Sequence, residues 1–461
     1  MKKAFKPVLA VLVILALAFS FTACGQSSSS AGSTTGQPAA QSTAAGSGDA
    51  AIQPAKDIKL TMWDQVHVTT DEQKKPVEEW YISKAIERFK KDNPGVSIAV
   101  STEADASQVI PKLKAAGLAK NGPDIANVWS GMYVSSLKDV VLPLDGKVPQ
   151  EDLDNISGWE YVRYNFQPDG AILAYPVGGR YISMFYYNKK VIKDCGLDFE
   201  ANPPRTAADF DAALEKIKAK GYIPIVDDEG QSKNLLYHIA NYWWGQSTGS
   251  EGIAKHNSGE VKFADDQGLI NALTYYQSLY KNGYVNKDTA SSSDQLNKFY
   301  QGKAALTVGG SWGFTDATQS MGDNLGIVRA PNINDSVKVK DGQMGGPGDA
   351  MVVSNYSENP DMAIKFLHYL SSKQETLEYL KTSKVIPVRK DITPAELGWN
   401  NDPILSKSFE WANNCVYWVD NTVDSDAMSE LAKMCPLVLT GKMTPQEAAA
   451  KMDEKMAEKG K

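Results

Sequence analysis

From residue 58 onward, stretches with apolar residues at every second position alternate with longer stretches whose apolar residues lie three or four apart. Ile58-Lys59-Leu60-Thr61-Met62-Trp63 alternates strictly and predicts a first strand. Trp80, Tyr81, Ala85, Ile86 and Phe89 fall at helical spacing within residues 77–91, and Asn93-Pro94-Gly95 stops that helix. Residues 96–100 predict a second strand. Residues 109–119 predict a helix closed by Asn121-Gly122-Pro123, and residues 125–129 a third strand. Strand, helix, strand, helix, strand implies a parallel sheet with right-handed crossovers.

The same alternation recurs further along. Residues 173–176 lead into a strand at 182–187, and Thr206-Ala207-Ala208-Asp209 caps a helix running to Lys220. Helices are predicted at 235–244, 269–281, 292–301, 362–371, 373–381 and 444–458, the last with Pro445 at its first position. Strands are predicted at 304–308 and 351–353, and residues 250–252 read as loop.

The first 56 residues carry no such pattern. Lys2, Lys3 and Lys6 precede an apolar run at 8–21, too short to cross a bilayer and suited to a signal peptide spanning residues 1–23. The run ends in Phe21-Thr22-Ala23-Cys24, which resembles a bacterial lipobox, with Cys24 as the residue that would receive lipid. Residues 25–56 are nearly all Ser, Gly, Thr, Ala and Gln. They read as a disordered tether with a span of roughly 30 Å. Two acyl chains on Cys24 would hold a soluble body outside the cytoplasmic membrane, as in Gram-positive bacteria, with no other membrane contact.

Composition then narrows the function. The 405 residues from 57 to 461 exceed the ~250–300 that one core supports, so two domains or lobes are expected. Net charge is −7, and −10 once residues 1–23 with their three lysines are removed. An acidic chain without basic clusters argues against nucleic acid. His67, His238, His256 and His368 are too scattered for a zinc site, so no metal and no cofactor is expected. Setting Cys24 aside, three cysteines remain. Cys415 and Cys435 either pair or stay free.

Four segments carry a resemblance. They are Gly122-Pro123-Asp124-Ile125 before a strand, Ala174-Tyr175-Pro176-Val177-Gly178 leading to Met184-Phe185-Tyr186-Tyr187-Asn188, Phe299-Tyr300-Gln301-Gly302-Lys303-Ala304 ending in Gly309-Gly310-Ser311-Trp312, and Asn359-Pro360-Asp361-Met362-Ala363 followed by Val385-Ile386-Pro387-Val388. In this order they resemble the family 1 extracellular solute-binding proteins of bacterial ABC importers, the group of the maltose-binding proteins. The resemblance implies a two-lobed α/β fold of the type II periplasmic-binding-protein kind. It places residues 57–178 with about 348–395 in an N-terminal lobe, and 179–347 with about 396–461 in a C-terminal lobe. Crossings are expected near 177–181, 345–350 and 393–398, with a ligand cleft between lobes that close about this hinge. It further implies a monomer that captures oligosaccharide and delivers it to a permease with a separate ATPase.

Trp63, Trp129 and Trp312 end predicted strands, where open α/β sheets bind ligands. Asp64, Gln65 and Asn127 stand beside them. The mixture suits a sugar, whose CH faces lie on indole while its hydroxyls bond carboxylates and amides. The resemblance implies cleft positions for Trp129 and Trp312. Trp243 and Trp244 are neighbours, so either is a ligand candidate and the other core; Trp418 is a further candidate. Arg180 stands at the first crossing where maltose-type proteins carry an acid. It offers bidentate contacts to hydroxyls or to a carboxylate, or a hinge salt bridge. Gly346 and Asp349 belong to Gly345-Gly346-Pro347-Gly348-Asp349, a loop that serves the ligand or the hinge alone.

Two other readings stand beside a transport receptor. One is a surface hydrolase acting on glycans; the other is a sugar sensor or adhesin of the same fold. Gly245-Gln246-Ser247-Thr248-Gly249 matches a nucleophile elbow in letters, but that motif needs a strand before it and a helix straight after.

Overall fold

The computed structural model describes residues 57–68, 72–102, 108–291 and 293–459. Cys24 and the tether lie outside the described residues. Among the described residues no helix is long and apolar enough to cross a membrane.

The first strands form where alternation predicts them: β1 (Ile58–Trp63), β2 (Val96–Ser101) and β3 (Ile125–Trp129). β1 pairs in parallel with both β2 and β3. Helices Tyr81–Asp92 and Val109–Ala119 supply the crossovers. Leu60 and Met62 of β1 meet Phe89 and Leu113 of these helices and Phe366 of helix Pro360–Leu370 in one core.

β4 (Tyr175–Asn188) is longer than its apolar pattern suggests. Its first half pairs antiparallel with β8 (Gln343–Val353), and β8 pairs antiparallel with β3. Its second half pairs with β6 (Ala304–Gly310) and β7 (Leu325–Val328), and β6 with β5 (Ile223–Val226). Two short strands, β9 (Ile386–Pro387) and β10 (Cys415–Val416), join β4 and β8.

β4 and β8 therefore run from one core into another. Tyr175 and Val177 of β4 belong to the first core, as do Ala350 to Val353 of β8. Phe185, Tyr187 and Met344 belong to a second core with Phe210, Tyr276 and Leu431. Along β4 successive side chains point to opposite faces. Phe185 and Tyr187 enter the second core, while Met184 and Tyr186 enter a smaller cluster with Phe299 and Phe314. Buried on both faces, Met184 to Tyr187 read as a continuous apolar run. The pairing of β4 with β8 shifts between Val177 and Arg180, around Gly178. Gly178 has φ +67, and a Cβ there would stand 2.5 Å from Val66 Cγ2. Val388 lies in the first core and Trp399 in the smaller cluster, and Leu397 between them packs against both.

The capping box at Thr206 and Asp209 forms as expected. Other local readings needed revision. β5 and β7, four residues each, had too few residues to show a period. β8 begins eight residues before 351, because Gly345-Gly346-Pro347-Gly348 hides the strand pattern. Residues 235–244 do not form one regular helix: Leu235–Ala240 is a π-helix that passes into α-helix Asn241–Thr248. Residues 250–252 are not loop but open helix Ser250–Asn257. Cys415 and Cys435 are free thiols.

Candidate functional site

A cavity of about 570 Å³ lies between the two cores. Gln65, Asn127, Trp129 and Asp349 line it from the first core's side, and His238, Ser311, Trp312, Trp418 and Asp420 from the second's. Trp129 closes β3 opposite Asp349 in the register. Trp129 is 39% exposed, and Trp312 is 44% exposed. Exposed indoles on facing walls offer flat apolar surface that the fold itself does not consume.

Local geometry fixes these rings. A Cβ on Gly310 would lie 2.0 Å from the Trp312 ring, so only glycine lets that indole fold back over the end of β6. His238 packs on Trp312 with ring centroids 4.9 Å apart, and Trp312 lies 6.1 Å from Trp418. The Trp418 Nε1 donates to the Gly346 carbonyl at 3.2 Å. Trp129 meets Tyr133 edge-on at 5.1 Å.

The polar groups are poised by burial. Burial pushes the Asp349 carboxyl up to about 6, against the hydrogen bonds from Tyr181 and Asn127. Burial pushes Asp420 up to about 7, against the amides of Asp420 and Asn421. Burial lowers His238 to about 4, so its imidazole is neutral at pH 7. Gln65 Nε2, His238 Nδ1 and Asp420 Oδ1 are buried without a hydrogen-bond partner among the described residues. Each such orphan costs about 1–3 kcal/mol until something satisfies it.

The structure brings together Gln65, Trp129, Trp312, Asp349 and Trp418. It sets the other sequence candidates apart. Trp63 packs half-buried against the first core, outside the lining. Asp64 is fully buried, with Oδ1 accepting from the amides of Val66 and His67 and Oδ2 bonded to His67 Nδ1 at 2.9 Å. It shapes a turn and does not face the cavity. Arg180 donates from Nε to the Pro387 carbonyl at 3.1 Å and lies over the Phe409 ring. It braces β4 against β9 and lies outside the cavity lining. Trp243 and Trp244 are both fully buried, donating from Nε1 to Pro331 O and to Asp266 Oδ2. Adjacency did not turn either outward, because core surrounds their helix on all sides. Gly346 stays outside the lining and acts through Trp418.

Tyr181, His238, Ser311, Tyr379, Asp420 and Asn421 line the cavity and were not singled out from sequence. Asp420 and Asn421 directly follow Trp418, a signal that was available. His238 gave none, since it reads as a core histidine on an aromatic helix.

Ser247 sits inside helix Asn241–Thr248, with Oγ donating to the Trp243 carbonyl at 2.8 Å. No strand precedes it, so the elbow geometry is absent. Among the described residues no group of three or more His, Cys, Asp or Glu could hold a metal ion.

Two cores joined by crossing strands, with a cavity between them, define a two-lobed α/β fold of the periplasmic-binding-protein kind. The family profile described as bacterial extracellular solute-binding protein matches residues 84–407, and the chain belongs to that family. Maltodextrin-binding protein MdxE of Bacillus subtilis (strain 168) is 25% identical over 214 residues, 44% of this chain. The match spans about half of that relative's length, 47%. A solved chitin oligosaccharide binding protein superposes with a TM-score of 0.73 at 23% identity, covering 87% of this chain and 98% of its own. The raffinose complex of RafE superposes with a TM-score of 0.66 at 19% identity, covering 87% and 98%. These relatives are named as binding proteins, not as enzymes.

Proposed function

We propose that this protein is the extracellular receptor of a bacterial carbohydrate ABC importer. It captures an oligosaccharide between lobes formed by residues 57–178 with about 348–395 and 179–347 with about 396–461. The observation that carries the reading is the pair of exposed indoles, Trp129 and Trp312, on opposite walls of one cavity also lined by Gln65, His238, Asp349 and Asp420. The maltodextrin, chitin oligosaccharide and raffinose named for its relatives favour the same ligand class. Closure follows when ligand binds the closed arrangement more tightly than the open one. The protein binds and does not cleave. It is monomeric and uses no cofactor, and a membrane permease with a separate ATPase takes the sugar from it.

Lipid on Cys24 and the tether after it would hold the receptor at the outer face of the cytoplasmic membrane. Cys24→Ser is expected to release it into the medium.

The test is calorimetry with a panel of oligosaccharides on wild type, Trp129→Ala and Trp312→Ala. Loss of affinity in both variants supports the site, and unchanged affinity in both rejects it. Appearance of new reducing ends would sink the binding-only reading in favour of a hydrolase.

A further inference from the structure

Trp312 stands on a seat that the fold prepares without ligand. A Cβ on Gly310 would meet Cζ3, Cη2 and Cε3 of the indole at 2.0, 2.1 and 2.4 Å. These are consecutive atoms of the six-membered ring, so Gly310 lies over a face of the ring and not at its edge. Backbone covers that face, and the other is left for the cavity that Trp312 lines. Gly310 itself has φ −161 and ψ 171, an extended conformation open to any residue. The ring, not the backbone, requires glycine there.

A second group fixes the tilt. The His238 imidazole packs on the Trp312 indole at 4.9 Å, with 50° between their planes, and meets Trp418 edge-on at 5.8 Å. His238 comes from the π-helix Leu235–Ala240. Such turns are rare and recur at functional sites. Buried carboxylates hold its start: Asp227 Oδ2 accepts from the Leu235 amide at 2.7 Å, and Glu229 Oε1 from the Leu236 amide at 3.0 Å. Both rings also hang on one place in a crossing strand. The Ile182 amide donates to Ser311 Oγ at 3.1 Å, and Ser183 pairs with Gly310 in the register. Ser183 Oγ donates to the His238 carbonyl at 3.1 Å. Two adjacent residues of β4 thus set the roots of Trp312 and His238 against each other.

We propose that Gly310 and His238 are positioning residues, which act on the ligand through Trp312 by presenting one face of its indole at a preset tilt. This rests on reading the cavity as a glycan site. A ring that is already immobile loses little freedom when a sugar face stacks on it, so the contact is realised as affinity. A ring free to turn would first have to be ordered. The role needs no hydrogen bond from the imidazole to the sugar, and His238 Nδ1 is buried.

The test uses Gly310→Ala, His238→Asn and His238→Phe. Alanine suits the backbone at 310, and the nearest atoms its Cβ meets are those of the Trp312 ring. Asparagine at 238 keeps a polar group and removes the ring; phenylalanine does the reverse. The proteins are labelled with 5-fluorotryptophan, and the fluorine lines of Trp312 and Trp129 are assigned with Trp312→Phe and Trp129→Phe. Without ligand, Gly310→Ala and His238→Asn are expected to shift or broaden the Trp312 line and leave that of Trp129, on the facing wall, in place. Calorimetry with maltodextrin, chitin oligosaccharides and raffinose should then give a loss of about tenfold or more for the best-bound sugar in these two variants, and under about threefold in His238→Phe. Melting temperatures verify each fold. An unmoved Trp312 line in both Gly310→Ala and His238→Asn overturns the inference without reference to any sugar. Wild-type affinity in both also overturns it. So does retained affinity in His238→Asn with loss in His238→Phe, which would put the polarity of the imidazole on the ligand. Binding of no sugar by the wild type overturns the receptor reading, and the role in affinity with it, whatever the fluorine lines show.

Discussion

Tyr161 and Tyr417 stack face to face, with ring centroids 3.5 Å apart and 3° between their planes. Tyr161 stands in the chain between Trp159 and Val162 of the first core but packs against the second, to which Tyr417 belongs. The Tyr417 hydroxyl meets Ser130 Oγ at 2.6 Å, one residue beyond Trp129. A clasp between the cores therefore sits beside the cavity. Tyr417→Phe keeps the stack and loses the hydroxyl bond. It should destabilise the protein by about 1 kcal/mol in urea unfolding and change sugar affinity, because it loosens the neighbour of Trp129.

The indoles should separate by experiment into two kinds. Trp129→Ala and Trp312→Ala remove exposed rings, so stability should stay within about 0.5 kcal/mol of wild type while affinity falls. Trp244→Ala removes a fully buried ring and its bond to Asp266. It should destabilise by about 3–5 kcal/mol in denaturant titration.

Arg180→Ala should behave as a bracing change. Its loss frees the Pro387 carbonyl and the Phe409 face, with an expected destabilisation of about 1–3 kcal/mol. Because the side chain lies outside the cavity, affinity for a neutral oligosaccharide should change by less than about threefold, which is under 1 kcal/mol. A tenfold loss in calorimetry would place the guanidinium on the ligand.

Asp349 gives a pH signature without ligand. In the folded protein its carboxyl titrates at about 6, whereas in an unfolded chain it titrates near ~3.9. Between these values the folded state holds the extra proton, so this group's contribution to stability falls as pH rises from about 4 to about 6 and is level above. Asp349→Asn keeps an acceptor for Tyr181 and removes the ionisation. Its stability relative to wild type should be greatest at pH 8 and shrink as pH falls through 6 to 4, read by urea midpoints.

Much of the frame was legible because period and punctuation agree. β1, β2 and β3 and the helices between them carry clear alternation, helical spacing and Gly or Pro stops. The crossing strands were half legible: β4 showed its apolar run, but in β8 glycines and a proline stand where a strand would show side chains. Of the candidate site, Trp129 and Trp312 could be read as aromatics at strand ends, yet Trp63 at the end of β1 packs on the first core instead, so position at a strand end does not by itself decide. Trp243, Trp244 and Asp64 misled, since residue type alone does not reveal whether a partner such as Asp266 or His67 waits inside. His238 and Asp420 were silent. What singles them out is a place in the cavity lining and a buried atom left without a partner, properties of three-dimensional packing that no spacing encodes.

The bond from Trp418 Nε1 to the Gly346 carbonyl ties one cavity wall to the backbone of a crossing strand. Any rotation of the peptide at Gly346, which already has φ +130, must lengthen that bond or drag the indole with it. The fluorophore and the Gly346 peptide are thus mechanically linked. On the proposed closure of the lobes, the emission of this tryptophan would report any rotation at Gly346, readable in an otherwise unlabelled protein once the other indoles near the cavity are replaced.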